Sequence, residues 1–504
     1  MNSELPLKLG APETFLHLHS FLRSAGYSEA NLCGLLGLER ICDFQQVDLN
    51  RLPGDRGEAA LLSLLARVFF LLQEVPAAEI QSLIPEDVLE SMLALDVLAP
   101  ADGKGAFESR VWLYPIEELL LASDRTKNLP DAVFPAISPL SYRFLKRMSR
   151  ISVPSALDLC SGSGVAALTL SQQCKQVVAS DVSPRAIHFA RFNCLLNHRS
   201  NVSVLGSDLY ASLGAETFDR IVAHPPYVPS LSNAVVWRDG GATGEEPIRR
   251  IVAGLPQYLR PGGAFYAACG GFDTKEKPFE LRVRDWLGSA NGNFDVLFAL
   301  EFDKSPWHLA VNQGSIQADD LHENQQRLLE QFSELGALSF VAGALVIERR
   351  IGEEKQRNRE PLTVRTHLSP LTDGACFDNY LGWLRFVCRP EAPRELAQLK
   401  PRLGSTLRVN ITHEVKEQQL LPIAFIVEAQ RPFRAQTKVE AEIVRVLLRC
   451  DGKASLAELF EAARVDSLVP EKFTLVDFLQ FGAKMIERGY LEIEMPLSAN
   501  FTLA

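Results

Sequence analysis

Seven short apolar segments alternate with helical segments between residues 151 and 348, and this alternation restricts the fold more than any other feature. Strands that alternate with helices predict a parallel sheet with helices on both faces, which is the doubly wound α/β class. We therefore expect a Rossmann-like core with seven strands. The predicted strands are 156–159, 177–180, 202–205, 220–223, 264–268, 294–301 and 337–347.

The chain has 504 residues, which is too long for a single hydrophobic core and predicts several domains. We expect a helical and winged-helix-like N-terminal domain over residues 1–125. The α/β domain should occupy residues 132–350, and an α+β domain with a winged-helix-like tail should occupy residues 362–504. The charged stretch 348–360 mixes both signs and predicts a solvated linker.

The N-terminal region shows helical spacing of apolar residues over about 13–72. Further helices are predicted at 77–84 and 85–95, and strands at 97–99 and 107–113 flank the turn Asp102-Gly103-Lys104-Gly105. This order is typical of a winged helix. The second helix is acidic and apolar, which favours packing or substrate positioning over insertion into a nucleic-acid groove.

The C-terminal region also contains strand and helix signals in the order of a winged helix, but its function is not readable. The predicted strands are 406–412, 423–427 and 490–493, and the predicted helices are about 437–449, 455–463 and 473–488.

Composition narrows the function classes. The formal net charge of −10 disfavours non-specific adhesion to nucleic acid. The nine cysteines are scattered without the short spacing of a zinc or redox site, so we expect buried thiols and no metal. The most apolar stretch, 59–72, is interrupted by Arg67, and the N-terminus lacks a signal-peptide pattern. We expect a cytoplasmic protein without membrane contact.

A glycine-rich turn follows the first predicted strand, in the run 156–164. Gly162 and Gly164 allow a tight turn and a close approach of the backbone to a ligand. Asp158 precedes them, where its carboxylate can accept from a ligand ammonium. There is no third glycine in the spacing that binds a dinucleotide pyrophosphate.

Two more acids end the next two predicted strands. Asp181 comes about 20 residues later, where its carboxylate can accept hydrogen bonds from ribose hydroxyls. Asp208 lies where its carboxylate can accept a hydrogen bond from an adenine amino group. Three acids at successive strand ends predict that S-adenosylmethionine binds there, because open α/β sheets bind ligands at that edge. The adjoining residues Cys160, Val182 and Leu209 complete the predicted cofactor site.

The tetrapeptide His224-Pro225-Pro226-Tyr227 follows the fourth predicted strand. Its first side chain and a proline carbonyl can accept hydrogen bonds from a nitrogen and aim the lone pair at a methyl carbon. Successive prolines make the backbone rigid, and the tyrosine ring can stack on a planar target group. His224 can also contact the cofactor. We refer to this tetrapeptide as the acceptor motif.

The chain between about residues 132 and 347 resembles the HemK/PrmC-type N-methyltransferases. The resemblance implies methyl transfer from S-adenosylmethionine to nitrogen. The segments that carry it are DLCSGSG (158–164), ASDVSPRAIHFARFNCLLN (179–197), GSDLY (206–210), the acceptor motif, RDGGATG (238–244) and PGGAFYAACG (261–270).

The chain departs from this family at the first position of the acceptor motif, where His224 replaces asparagine or aspartate. A neutral imidazole can accept one hydrogen bond, so the orienting role is retained in the correct tautomer. It can also act as a general base for a more acidic target, so the acceptor atom stays open between nitrogen and oxygen. Phe134 and Ser138, just before the first strand, are further candidates for substrate contact.

The sequence leaves three hypotheses for function. The first is a methyltransferase that acts on a nitrogen of a protein side chain or a small molecule. The second is an RNA or DNA base methyltransferase, which the acidic charge disfavours. The third is a non-catalytic scaffold that binds the cofactor, which the intact acceptor motif disfavours.

Overall fold

The computed structural model describes residues 5–46, 60–101, 103, 105–125, 129–231, 235–314, 321–352 and 360–493. These residues form two compact units. The first unit takes its residues from Met1–Lys146, Ile151–Phe294 and Lys304–Arg350, and the second from Arg147–Arg150, Asp295–Asp303 and Ile351–Ala504. In the described part of the chain, no helix has the length and apolar character needed to cross a membrane.

The N-terminal part of the first unit is helical and carries two small antiparallel sheets. Its helices are Pro12–Ser24, Glu29–Leu36, Ala60–Leu65, Ala77–Leu83 and Glu86–Ala94, with a 3-10 turn at Ile41–Gln46 and a π turn at Ala66–Phe70. Its strands are β1 (Val75–Pro76), β2 (Leu98–Pro100), β3 (Ala106–Ser109), β4 (Trp112–Ile116) and β5 (Leu119–Ser123). The first three strands pair in the order β1-β3-β2, and β4 forms a hairpin with β5.

One predicted strand of this region is wrong. The run 107–113 is divided between β3 and β4, because the chain bends at Arg110 and Val111, directly after Ser109 at the end of β3. The Ser109 hydroxyl group is within hydrogen-bond distance of the Val97 and Val111 carbonyl oxygens, at 3.2 Å and 2.6 Å. Residues 47–59 of the predicted helical region, the turn residues Asp102 and Lys104, and residues 353–359 of the predicted linker lie outside the described residues.

The core of the first unit is a twisted sheet with helices between its strands. Six strands are hydrogen-bonded in the order β12-β10-β9-β6-β7-β8, and all neighbours are parallel except β10 and β12. The strands are β6 (Val153–Leu159), β7 (Cys174–Asp181), β8 (Val202–Gly206), β9 (Phe218–Ala223), β10 (Leu259–Thr274) and β12 (Ala337–Arg349). Together with β11 (Phe294–Lys304), they confirm the seven predicted strands and the Rossmann-like α/β class.

The register brings the carboxyl ends of the central strands to one edge of the sheet. Leu159 of β6 lies opposite Ser180 of β7 and Ala223 of β9, and Asp181 lies opposite Gly206 of β8. The segments that follow these strands therefore lie side by side. The helices of this part are Pro139–Arg147, Val165–Leu170, Pro184–Leu196, Glu246–Tyr258, Phe279–Trp286, Pro306–Gly314 and Leu321–Glu334, with a 3-10 turn at Gly288–Asn293.

Two asparagines join the N-terminal hairpin to this core. The Asn193 side chain accepts from the Ala122 N–H at 2.8 Å and donates to the Ala122 carbonyl at 3.0 Å. Asn197 makes the same pair of hydrogen bonds to Leu120. Asn193 also donates to the Ser163 carbonyl in the glycine-rich turn. The free edge of β5 is thus satisfied by the side chains of Asn193, on the helix Pro184–Leu196, and of Asn197, which caps the carboxyl end of that helix.

The second unit is α+β and has its own apolar core, which includes Trp383, Phe460, Phe478 and Tyr490. The β11 residues of this unit pair in parallel with β13 (Thr363–His367). The remaining strands are β14 (Arg402–Leu403), β15 (Arg408–Lys416), β16 (Gln419–Ala429), β17 (Ala435–Val439) and β18 (Leu491–Glu492). The helices are Gly374–Val387, Ala392–Gln398, Ala441–Leu447, Leu456–Val465 and Leu475–Glu487.

The predicted helix over about 437–449 begins too early. Residues 437–439 belong to β17, which pairs with β16, and the helix begins at Ala441. Burial alternates along Ala435–Val439 with a period of two, which is the pattern of a half-buried strand. The other strands and helices predicted for this unit are confirmed within a few residues.

Candidate active site

A cavity of about 300 Å³ lies at the carboxyl edge of the core sheet, entirely within the first unit. All of the residues predicted for the cofactor and acceptor sites line it except Gly164 and Ser138. Most lining residues come from the segment before β6 and from the segments that follow β6, β7, β8 and β9, and the others come from residues 236–238 and from the helix Glu246–Tyr258. The structure therefore brings together residues as far apart in the sequence as Asp131 and Arg250.

The glycine-rich turn after β6 has an unusual backbone. Cys160, Gly162 and Gly164 all have positive φ angles, of 57°, 54° and 79°. A Cβ added at Gly162 would meet nothing within 4 Å, so this glycine leaves open space beside the cavity that it lines. A Cβ on Gly164 would lie 3.2 Å from the Cβ of Ala190, so Gly164 permits close helix packing instead.

Asp158 lines the cavity, and only 2% of its surface is exposed. Its carboxyl group accepts from the Ala167 N–H at 3.0 Å, within the helix Val165–Leu170. Burial raises the pKa of Asp158 to about 8, and the neighbouring Asp181 charge adds to this shift. At neutral pH, Asp158 therefore retains a proton for most of the time.

The other two acids differ in environment. Asp181 accepts from the Gly162 and Ser183 N–H groups, each at 2.9 Å, which holds its carboxylate beside the glycine-rich turn. Burial raises the pKa of Asp181. Asp208 is more exposed and forms an ion pair with Arg250 at 2.8 Å. Arg250, on the helix Glu246–Tyr258, also lines the cavity, which the sequence did not predict.

The acceptor motif begins directly after β9. The His224 ring lies near two aromatic rings, with centroid distances of 5.2 Å to Phe144 and 6.2 Å to Tyr227. The interplanar angle between the His224 and Tyr227 rings is only 20°. Burial lowers the pKa of His224 to about 4. The imidazole is therefore neutral at physiological pH and offers one acceptor nitrogen.

A loop over residues 238–244, which we call the supporting loop, packs against the backbone of the acceptor motif. The Val228 N–H donates to the Arg238 carbonyl at 3.1 Å, and the Gly240 N–H donates back to Val228 at 2.8 Å. A Cβ at Gly240 would lie 2.9 Å from the Pro226 carbonyl oxygen, and one at Gly244 would collide with the Tyr227 carbonyl oxygen. Gly240 and Gly244 are therefore required for the close approach of the two segments.

The segment before β6 closes another wall of the cavity. The Phe134 ring packs on Trp237 with a centroid distance of 4.7 Å, and both side chains line the cavity. The Val236 N–H donates to the Pro130 carbonyl at 3.0 Å and joins the two segments. Ser138 does not line the cavity. Its hydroxyl accepts from the Ser141 N–H at the start of the helix Pro139–Arg147.

Sequence reasoning missed Phe144, Trp237 and Arg250 as lining residues. Phe144 follows the apolar spacing of an amphipathic helix, so its pattern is that of a core residue. Trp237 lies in a loop where no periodic signal applies. The only sequence signal for Arg250 is its position about one turn after the start of the helix that follows the supporting loop.

Comparison with known proteins places this site in a family. The family model described as "Methyltransferase small domain" matches residues 141–273. A putative protein N5-glutamine methyltransferase of Methanocaldococcus jannaschii is 30% identical over 146 residues, which cover 28% of this chain and 72% of the relative. The chain belongs to the HemK-like class I S-adenosylmethionine-dependent methyltransferases.

Other HemK-like relatives match over a smaller share of their length. A release factor glutamine methyltransferase of Geobacter sulfurreducens is 35% identical over 122 residues, which cover 22% of this chain and 43% of that protein. The structure of a ribosomal protein L11 methylase of Lactobacillus delbrueckii subsp. bulgaricus aligns at 16% identity over 42% of this chain and 77% of that one. Its TM-score is 0.25, which does not establish a shared topology.

The residues of the cavity fit the cofactor of this family. Gly162 leaves room against the backbone for a ligand, and Asp181 is held beside it with oxygen lone pairs left to accept hydroxyl groups. Asp158 offers a buried carboxyl group that a cationic amine would convert to its charged form. S-adenosylmethionine contains these groups: an amino acid ammonium and a ribose diol.

Proposed function

We propose that this protein transfers the methyl group of S-adenosylmethionine to a nitrogen of a protein side chain or a small molecule held at the acceptor motif. The observation that supports this most is the single cavity that the three acids and the acceptor motif share. When bound, the cofactor supplies an electrophilic methyl group on a sulfonium ion. The acids at one end and His224 at the other would hold the two reactants in one line.

In the proposed reaction, the chain orients the acceptor and excludes water. The His224 ring nitrogen and the Pro225 carbonyl would each accept a hydrogen bond from the target nitrogen. The Tyr227 ring would lie against its planar group, and the Phe134–Trp237 pair would close the wall. Catalysis would come from positioning rather than from proton abstraction before the transfer, because a histidine with a pKa of about 4 is a weak base. The methylated nitrogen is strongly acidic and would lose its extra proton to the solvent after the transfer.

This protonation state favours a neutral target that carries N–H bonds, such as a carboxamide, over an ammonium ion or a carboxylic acid. A glutamine side chain meets that description, and the relatives named above are described as glutamine methyltransferases. We therefore propose a protein glutamine as the first acceptor to test. A nucleobase amino group would meet the same chemical requirement and is the alternative outcome.

The proposal is tested by incubating the full chain with radiolabelled S-adenosylmethionine and a fractionated lysate, followed by separate protease and nuclease digestion. Label that protease releases as methylglutamine supports the proposal. Label that nuclease releases identifies a nucleobase acceptor instead. Tight cofactor binding without label in any fraction would leave a non-catalytic scaffold as the function.

Removing the His224 side chain separates the acceptor role from the cofactor role. We expect His224→Ala to abolish turnover while the cofactor dissociation constant, measured by calorimetry, changes little. Asp181→Ala should instead weaken cofactor binding, because this carboxylate is fixed beside Gly162. Unchanged product formation by His224→Ala would refute the assignment of the acceptor motif.

A further inference from the structure

The His224 imidazole is held in an unusual way for a group that must direct a lone pair. Within the described part of the chain, no hydrogen bond restrains either of its ring nitrogens. What it contacts are two rings, Tyr227 within its own motif and Phe144 from a different element. The ring planes of His224 and Phe144 are tilted by 47°.

Phe144 is well placed to restrain this ring. It lies on the helix Pro139–Arg147, is 5% exposed, and lines the same cavity as His224. The centroid distance of 5.2 Å lies within the range in which aromatic rings attract each other and favour particular relative orientations. Rotation of the imidazole would have to break that contact.

Orientation matters more for histidine than for the asparagine or aspartate of similar enzymes. A carboxylate or carboxamide oxygen carries two lone pairs and accepts over a broad range of directions. A neutral imidazole has one lone pair, in the ring plane, on one of two nitrogens. The wrong tautomer would present an N–H to the acceptor and repel its donor, and a flipped ring would place a C–H where the accepting nitrogen should be.

We propose that Phe144 is a positioning residue for methyl transfer, because its ring fixes the orientation of the His224 imidazole. This inference rests on the proposed function of the acceptor motif. It assigns a role to a residue outside that motif. It also explains how a histidine can serve at a position where the family uses asparagine or aspartate.

The first test measures the imidazole directly and needs no substrate. NMR of the His224 ring protons reports the orientation of the imidazole through their nuclear Overhauser contacts with the Tyr227 ring, and these signals are assigned by their loss in His224→Asn. In the unaltered protein, we expect contacts that fit one ring orientation. In Phe144→Leu, the same protons should show contacts averaged over more than one orientation. Contacts that are identical in both proteins would overturn the proposal.

Leu145→Ala is the matched control, because Leu145 is buried on the same helix but does not line the cavity. This variant should lose stability and leave the contacts of the His224 ring protons unchanged. If Phe144→Leu fails to fold, Phe144→Met replaces it in the same measurement, because its unbranched side chain adapts to irregular space. A change of these contacts in Leu145→Ala as large as that in Phe144→Leu would refute a specific role for Phe144.

The second test uses methyl transfer. We expect Phe144→Leu to lower kcat by about tenfold or more with an unchanged cofactor dissociation constant. In a His224→Asn background, Phe144→Leu should cause no comparable further loss, since an amide oxygen needs less orientation. An equal loss in both backgrounds would contradict the proposal. If the unaltered protein transfers no methyl group, the proposed function fails, whereas the NMR result still decides whether Phe144 orients His224.

Discussion

At the scale of single residues, burial moves the protonation of Asp158 and His224 in opposite directions. Desolvation disfavours the charged form of each group. The pKa of Asp158 rises to about 8, and the pKa of His224 falls to about 4. The ligand-free cavity is therefore less charged at neutral pH than its sequence suggests. Binding of a cationic cofactor should therefore release the proton of the Asp158 carboxyl group.

We predict that cofactor binding releases a proton from Asp158 near pH 7. The cofactor ammonium favours the carboxylate, so the pKa of Asp158 falls on binding and affinity rises with pH up to about 8. Calorimetry with S-adenosylhomocysteine in two buffers of different ionisation enthalpy measures this release. Asp158→Asn should abolish it. Equal heats in both buffers for the unaltered protein would show that Asp158 is already charged.

The same residue links stability to pH with a definite sign. In the ligand-free fold, Asp158 keeps its proton up to about pH 8, whereas the unfolded chain loses it near pH 4. The folded state then binds more protons between these two values. The contribution of Asp158 to stability is therefore full at the acidic end and is lost as the pH rises toward 8. His224 acts in the opposite sense between about pH 4 and 6.5.

The sequence predicted site residues where their type and spacing are tied to strand ends. Asp158, Asp181 and His224 fall into that class. Phe144 and Trp237 do not, because their neighbours in space come from an amphipathic helix and a loop. Their packing partners lie more than 75 positions away in the chain, and no local pattern reports such a contact.

At the scale of elements, the supporting loop and the acceptor motif form one unit. Val228 and Asp239 form an isolated β-bridge, and Gly240 and Gly244 lie against the motif backbone. Gly244 has φ 77°, and a Cβ there would collide with the Tyr227 carbonyl oxygen. Backbone, rather than a flexible side chain, is the obstacle. The motif would have to move if this glycine were replaced.

We therefore predict that Gly244→Ala displaces the acceptor motif and reduces kcat far more than cofactor affinity. Gly288→Ala is the matched control, since Gly288 also has positive φ, 61°, but its Cβ would meet nothing within 4 Å. The control should lose about 1–2 kcal/mol of stability from backbone strain alone and keep its turnover. Equal turnover in the two variants, measured with the acceptor found by labelling, would contradict the role of the loop.

The predicted elements show where local patterns suffice. The seven core strands were predicted because apolar strands and helices alternate in regular order. Strand β5 was missed because all five of its residues are buried, so it shows no period of two. Its free edge is satisfied by Asn193 and Asn197, more than 70 positions away. Neither asparagine can be recognised as a strand partner from its helical surroundings.

At the scale of the first unit, the N-terminal segment is built into the methyltransferase core. Asp124, just after β5, forms a buried ion pair with Arg185, and both side chains are 5% exposed. The same Asp124 carboxylate accepts from the Val133 N–H at 2.7 Å. It thereby ties the wall that carries Phe134 to the helix that follows Asp181. One carboxylate connects the acceptor side of the cavity with the cofactor side.

We predict that Asp124→Ala destabilises the first unit by about 3–5 kcal/mol, because it removes one partner of a buried ion pair while the Arg185 charge stays buried. Glu246→Ala is the matched control. It breaks the Arg249–Glu246 pair, whose side chains are 54% and 55% exposed, and should cost less than about 1 kcal/mol. Urea denaturation followed by tryptophan fluorescence compares the two. Similar midpoints for both variants would mean that the buried pair does not hold the N-terminal segment to the core.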